Sequence, residues 1–147
     1  MTVFRSILFN VVFYLNLIAF MVLGIWFFFT PRAWSMAALK VWSRASQWWL
    51  EVIAGTRMEV RGVEHLPEGA ALVAGKHQSM WETFALFPLF DDPAIVLKRE
   101  LMWIPLLGWF AWKFRMIPVD RSARGPALKS LVRCAEAAVA ANRQILV

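Results

Sequence analysis

Between Ser6 and Phe29 the chain carries no charged residue and is apolar almost throughout. A helix of that length can cross a bilayer core of about 30 Å, and Pro31 marks its end. Asn10, Asn16 and Gly24 dilute the run, so a tilted or half-inserted helix is the other arrangement. It is too long for a signal peptide and offers no small-residue cleavage site before Pro31, so an uncleaved anchor is expected. From residue 33 to residue 53 the apolar positions fall at Trp34, Ala38, Val41, Ala45, Trp48 and Val52. That alternating spacing of four and three is one face of a helix. Lys40, Ser43, Arg44, Gln47 and Glu51 take the other side, and Trp42 and Trp49 border the stripe where interfacial aromatics would sit. The segment reads as an interfacial helix, the alternative being a helix packed on the domain core.

Beyond Gly55 the period shortens. Met58 and Val60 alternate with Glu59 and Arg61, as in a half-exposed strand, and Pro67-Glu68-Gly69 is a turn. The run AALVAG is a short apolar strand, and Ser79 is placed to cap a helix reaching about Leu89. AIVL at 94–97 and MIPV at 116–119 are further buried strands, separated by a helical stretch from Leu101 to Phe114 that Pro105 and Gly108 interrupt. Pro126 suits a first helical turn, Leu128, Leu131, Val132, Ala135 and Val139 form one apolar helix face, and QILV begins a last strand. Strands alternating with helices of this size predict an α/β layer on a largely parallel sheet, following membrane-associated N-terminal helices. The expected division is 1–54 for the anchor and interfacial helix and 55–147 for the α/β part.

Charge adds a direction to this picture. The chain has 147 residues, 60% hydrophobic and 15% aromatic, with nine Trp and a net charge of +6. No acidic residue precedes Glu51, whereas Arg5, Arg32, Lys40 and Arg44 do, which suits an anionic membrane surface. The basic excess after the anchor predicts a cell inner-membrane protein with its remaining part on the cytoplasmic side. Nucleic acid is not expected as a partner, because no nucleic-acid module is matched. A single cysteine, Cys134, excludes an internal disulfide and reads as a small packed residue, and no metal site is expected. His65, in a polar loop, reads as solvated.

Parallel sheets collect ligands beyond the carboxyl ends of their strands. His77 lies there after the first apolar strand, Lys98 after the second and Arg121 after the third. A neutral histidine can take a proton from a hydroxyl when a carboxylate fixes its other nitrogen. Glu82 stands five positions after His77, about 140° around a helix, so the pair meets only if His77 sits in the turn and Glu82 reaches back. Lys98 as a point charge and Arg121 as a planar fork suit phosphate, with Lys113 and Arg115 nearby. Surface charges at strand ends are the plainer account of any one of them.

Three ordered blocks extend this reading. KHQSMWET, KRELMWIPLLGW at 98–109 and MIPVDR at 116–121 resemble the conserved blocks of the PlsC-type glycerolipid acyltransferases, from about residue 50 onward. The resemblance implies acyl transfer from acyl-CoA or acyl-carrier protein, as co-substrate and without a further cofactor, to the free hydroxyl of a lysophospholipid. Lysophosphatidic acid would give phosphatidic acid. His77 would be the general base, Glu82 its orienting acid, and Lys98 and Arg121 the holders of the acceptor's phosphate, with membrane lipids as surroundings. Glu82 stands where the family usually has Asp, and Arg115 where it usually has Gly. The family continues after a strand like QILV with Phe-Pro-Glu-Gly-Thr-Arg, so these residues are read as the N-terminal part of the acyltransferase α/β domain. Another lysolipid acceptor, such as a lyso-ornithine lipid, or an inactive membrane-bound scaffold are the alternatives.

Overall fold

The computed structural model describes residues 2–76, 79–120 and 124–147. Helix α1 (Thr2–Leu23) tightens at Gly24 into a 3-10 turn over Gly24–Phe29. A Cβ on Gly24 would stand 3.0 Å from the ring of Phe110, so the missing side chain is what lets the two elements close up. Residues Val3–Phe29 are long and apolar enough to cross a membrane. Even so, this stretch lies along the rest of the molecule. Arg5 donates to the carbonyl of Ile53 near its start, while Phe13 packs on Phe84 at 5.0 Å and Phe28 on Phe110 at 4.9 Å further along. Lys113 Nζ donates to the carbonyl of Thr30 at 2.7 Å just beyond its end.

Helix α2 (Arg32–Trp49) follows Pro31 and ends in a wider turn over Leu50–Ala54, closed by Gly55 at φ +71°. Its expected apolar stripe faces outward: Trp34, Val41, Trp48 and Val52 are each more than half exposed. The buried side carries Ser35, Met36, Leu39, Trp42, Ser43 and Ser46. Trp42, expected at the border, is therefore core, and Ser43 belongs to the inward face. A stripe turned outward needs no aqueous partner when the surrounding medium is itself apolar.

The sheet has four parallel strands, β1 (Ala71–Val73), β2 (Pro93–Lys98), β3 (Ile117–Val119) and β4 (Gln144–Leu146), in the order β1-β4-β2-β3. The last strand thus lies between the first and the second, pairing Leu72 with Ile145 and Ala94 with Ile145. The alternation over Met58–Arg61 makes no strand, because a strand exists only through a neighbour's hydrogen bonds and the sheet offers none there. Instead Arg61 pairs with Glu59 at 2.7 Å on an exposed link.

Two expected helices are shorter than their patterns. α3 spans only Glu82–Ala85 and passes into a 3-10 turn at Phe87–Leu89, where Pro88 lacks the N–H that would continue an α-helix. The stretch from Leu101 splits into a 3-10 turn at Arg99–Trp103 and helix α4 (Leu107–Lys113). Between them Leu106 sits at φ +64°, and Leu107 N–H donates to the carbonyl of Pro105 at 2.7 Å, a three-residue turn in a strained region. A Cβ on Gly108 would lie 2.0 Å from the carbonyl oxygen of Met102, so no larger residue fits that crossing.

Helix α5 (Arg124–Ala140) covers the sheet through Leu131, Cys134, Ala135 and Ala138. Leu128 lies outside the residues whose side chains are described. Val132 and Val139, expected on the buried face, are about half exposed, since each lies roughly 100° around the axis from Leu131 and Ala138.

Candidate active site

Strand β1 and the end of β4 stay paired past their formal limits: Gly75 N–H donates to Val147 and Val147 N–H to Val73, both at 3.0 Å. The chain then leaves the sheet edge and turns into α3. His77 and Gln78, which occupy this corner, lie outside the described residues. Ser79 stands immediately after them. Its backbone N–H donates to Glu82 Oε2 at 2.8 Å, and its Oγ accepts the N–H of Trp81 at 3.2 Å. This is the reciprocal logic of a capping box, in which a helix-start serine and an acid three residues on satisfy each other's first turn. Glu82 therefore turns back toward the corner, as its spacing required.

The short helix is held from behind. Ser43 Oγ donates to the carbonyl of Phe84, and Gln47 Nε2 donates to the carbonyl of Ala85 at 3.3 Å. Four-residue helices leave their last carbonyls unsatisfied, and here α2 supplies the missing donors. Ser43 and Gln47 position the corner although their place in a polar stripe marked them as solvated. The Ser-x-x-Gln step on the helix is the trace that could have revealed them. Trp81 Nε1, Trp42 Nε1 and Ser46 Oγ are buried without hydrogen-bond partners among the described residues.

All four strands run parallel, so Lys98 ends β2 on the same edge as the corner after β1. Lys98 is exposed and in register with Val119. Arg121 lies outside the described residues, two positions beyond that partner. Because β4 separates β1 from β2, the corner and Lys98 stand roughly 10 Å apart along the edge, two strand spacings. Arg99 pairs with Asp120 at 3.2 Å and ties the ends of β2 and β3 together. His65 is exposed beside Glu64, and no cluster of metal ligands occurs among the described residues.

At the opposite edge a charge network joins the anchor to the sheet. Arg32, which starts α2, pairs with Asp92 at the head of β2, and Arg143 Nε lies 3.2 Å from Asp92. Buried Arg143 also donates to the carbonyls of Pro93, Phe114 and Arg115. Burial pushes the Asp92 carboxyl up, but the Arg32 hydrogen bond and the Arg143 and Arg32 charges outweigh it, leaving Asp92 below the usual carboxylate range. The hydrogen bond to Asp92 raises Arg32, while burial lowers Arg143.

Comparison with known proteins agrees with this arrangement. Residues 57–147 match the Acyltransferase family model. A 1-acyl-sn-glycerol-3-phosphate acyltransferase of Pseudomonas aeruginosa is 41% identical over 111 residues, 73% of this chain and 43% of that protein. An enzyme of the same name, alpha form, from Mus musculus is 31% identical over 84 residues, 56% of this chain and 30% of the relative. One from Saccharomyces cerevisiae is 30% identical over 83 residues, covering 56% and 27%. The chain spans less than half the length of the curated relatives it matches. No solved structure matches it. With the family model covering most of the chain and the strand–corner–helix unit in place, the chain belongs to the acyltransferase family, as a member of the PlsC type.

Proposed function

We propose that the enzyme of which these residues form a part transfers a fatty acyl group from acyl-CoA or acyl-carrier protein to the free hydroxyl of lysophosphatidic acid. The product is phosphatidic acid. The observation that carries this reading is Glu82 turned back onto the Ser79 N–H, beside the corner that contains His77. The names of the relatives supply the substrate pair. His77 removes the hydroxyl proton, and the oxygen attacks the thioester carbonyl. The C–O bond forms as the C–S bond breaks, and the thiol leaves with a proton returned by the imidazolium. Glu82 holds the imidazole and stabilises its charged form. Lys98 and Arg121 hold the acceptor's phosphate, and the chemistry uses no cofactor beyond the thioester. The reaction takes place at the cytoplasmic face of the cell inner membrane, where acceptor and product reside.

Thiol release from acyl-CoA, measured on vesicles with and without lysophosphatidic acid, tests the reading. His77→Ala should lower the rate by about 10²–10⁴ while leaving vesicle binding intact. Glu82→Gln should cost less. Arg121→Ala should raise the acceptor's KM about ten- to a hundred-fold and leave the donor's unchanged. Near-normal turnover by His77→Ala would remove the mechanism.

A further inference from the structure

Beside the catalytic corner the anchor helix and the α/β part enclose a groove of about 340 Å³, within the usual range of about 300–1,000 Å³ for small-molecule sites. Its walls are Phe9 and Phe13 of α1, Leu50, and Met80, Trp81 and Phe84 of the corner and α3. Polar groups gather at Asn10, Thr56, Arg57 and Ser79. We propose that this groove is the seat of the acceptor lysolipid's acyl tail, a proposal that rests on the acyl-transfer reading above.

The order of groups along the edge selects the acceptor. In lysophosphatidic acid the free hydroxyl stands between the ester-linked tail on one side and the phosphate on the other. A site for it needs an apolar slot on one flank of the base and cations on the other. Groove, corner and Lys98 follow one another in that order, with Lys98 two strands beyond the corner. The groove's outer wall is also continuous with lipid-facing surface: Phe4, Val11 and Leu15 of α1 are each at least half exposed. A tail already in the bilayer can slide in sideways without crossing water. At the mouth, Arg57 is paired with Glu51 but is exposed, and Arg5 lies against Gly55 nearby. Both suit the anionic, ester-bearing end of such a lipid rather than a bare hydrocarbon.

The test is photolabelling of the purified chain in phosphatidylcholine vesicles, using lysophosphatidic acid with a diazirine in mid-tail. The expected labels fall within 9–13 and 80–84, and excess unlabelled lysophosphatidic acid suppresses them while excess acyl-CoA does not. Met80→Trp fills the slot, and Met80 is 53% exposed, so the fold is not at stake. It should cut the suppressible label about ten-fold, the affinity carried by roughly two buried methylenes. Suppression by acyl-CoA alone would assign the groove to the donor chain and overturn the proposal. So would label that resists both competitors and sits on Phe4, Val11 and Leu15, which is bulk-lipid contact. Suppressible labelling without acyl transfer would keep the groove and sink the reaction. Transfer with label elsewhere would do the reverse.

Discussion

The two sides of the molecule are packed by different means. Toward the anchor, Phe13, Trp42, Phe84, Phe87, Phe110 and Phe114 form an aromatic cluster with Met36 and Leu39. Toward α5, the cluster is Ala94, Ile117, Ala138 and Ile145. Small residues let a helix settle close on a sheet, and the joint is tight because nothing large must find a rotamer. Rings instead interlock over longer distances, at 5.5 Å between Phe20 and Trp42 and 5.7 Å between Phe110 and Phe114. The catalytic corner belongs to the aromatic side, since Phe84 of α3 touches both Phe13 and Trp42. Anchor and corner therefore share one core. Disturbing the anchor's packing should reach Glu82, whereas disturbing α5's should not.

The largest break is Phe84→Ala. Removing a buried ring typically costs about 3–5 kcal/mol, and this one also joins α1 and α2 to the helix that carries Glu82. Denaturant unfolding in detergent should show that loss, and acyl transfer should fall in whatever fraction remains folded. Ala94→Val makes the matching change on the other side. Ala94 is fully buried, so two added methyl groups should cost about 1–3 kcal/mol through overpacking. Activity per folded molecule should stay near normal. Equal activity losses from both variants would show that the two clusters are not separate supports.

Much of this division was legible in the sequence, though not its orientation. The uncharged run, the four parallel strands and the return of Glu82 all follow from local patterns that the chain obeys. The period of α2 was equally plain, but period alone does not say which face turns inward. In water the apolar stripe would be buried; here Trp34, Val41 and Trp48 point out and serines point in. Ser43 and Gln47 were hidden for the same reason, because a polar residue on an amphipathic helix reads as solvated until a carbonyl is found opposite it. Met58–Arg61 had the alternation of a strand but no partner, and pairing is a property of the whole sheet. His77 and Arg121 lie outside the described residues, so their roles rest on position and resemblance.

Acid probes the link between the two sides through Asp92. Its folded carboxyl lies below the ordinary value of 3.8, so the folded state holds its proton less tightly than the unfolded one. The stability this contributes is present above that value and is lost as pH falls through the lower folded pKa. Asp92→Asn should flatten the decline in stability below about pH 4, the unfolded carboxylate range. If the acid limb is unchanged in the variant, the network of Arg32, Asp92 and Arg143 contributes nothing measurable to it.

The smallest expected effect runs in the opposite direction. Arg115 sits at φ +53°, in the left-handed region, at a position where the family usually has Gly. A side chain there crowds the following carbonyl by about 1–2 kcal/mol, which glycine avoids. Its carbonyl accepts Arg143 Nη1 at 2.7 Å, and that bond is made by backbone, so a substitution leaves it in place. The Arg115 charge also acts on buried Arg143 in the unfavourable sense. Arg115→Gly should therefore stabilise the fold by about 1 kcal/mol, the relieved strain offset in part by the greater freedom of an unfolded glycine. Arg115→Ala separates the two contributions, because it removes the charge and keeps the Cβ. If alanine stabilises as much as glycine, repulsion from Arg143 is the cost and backbone strain is not.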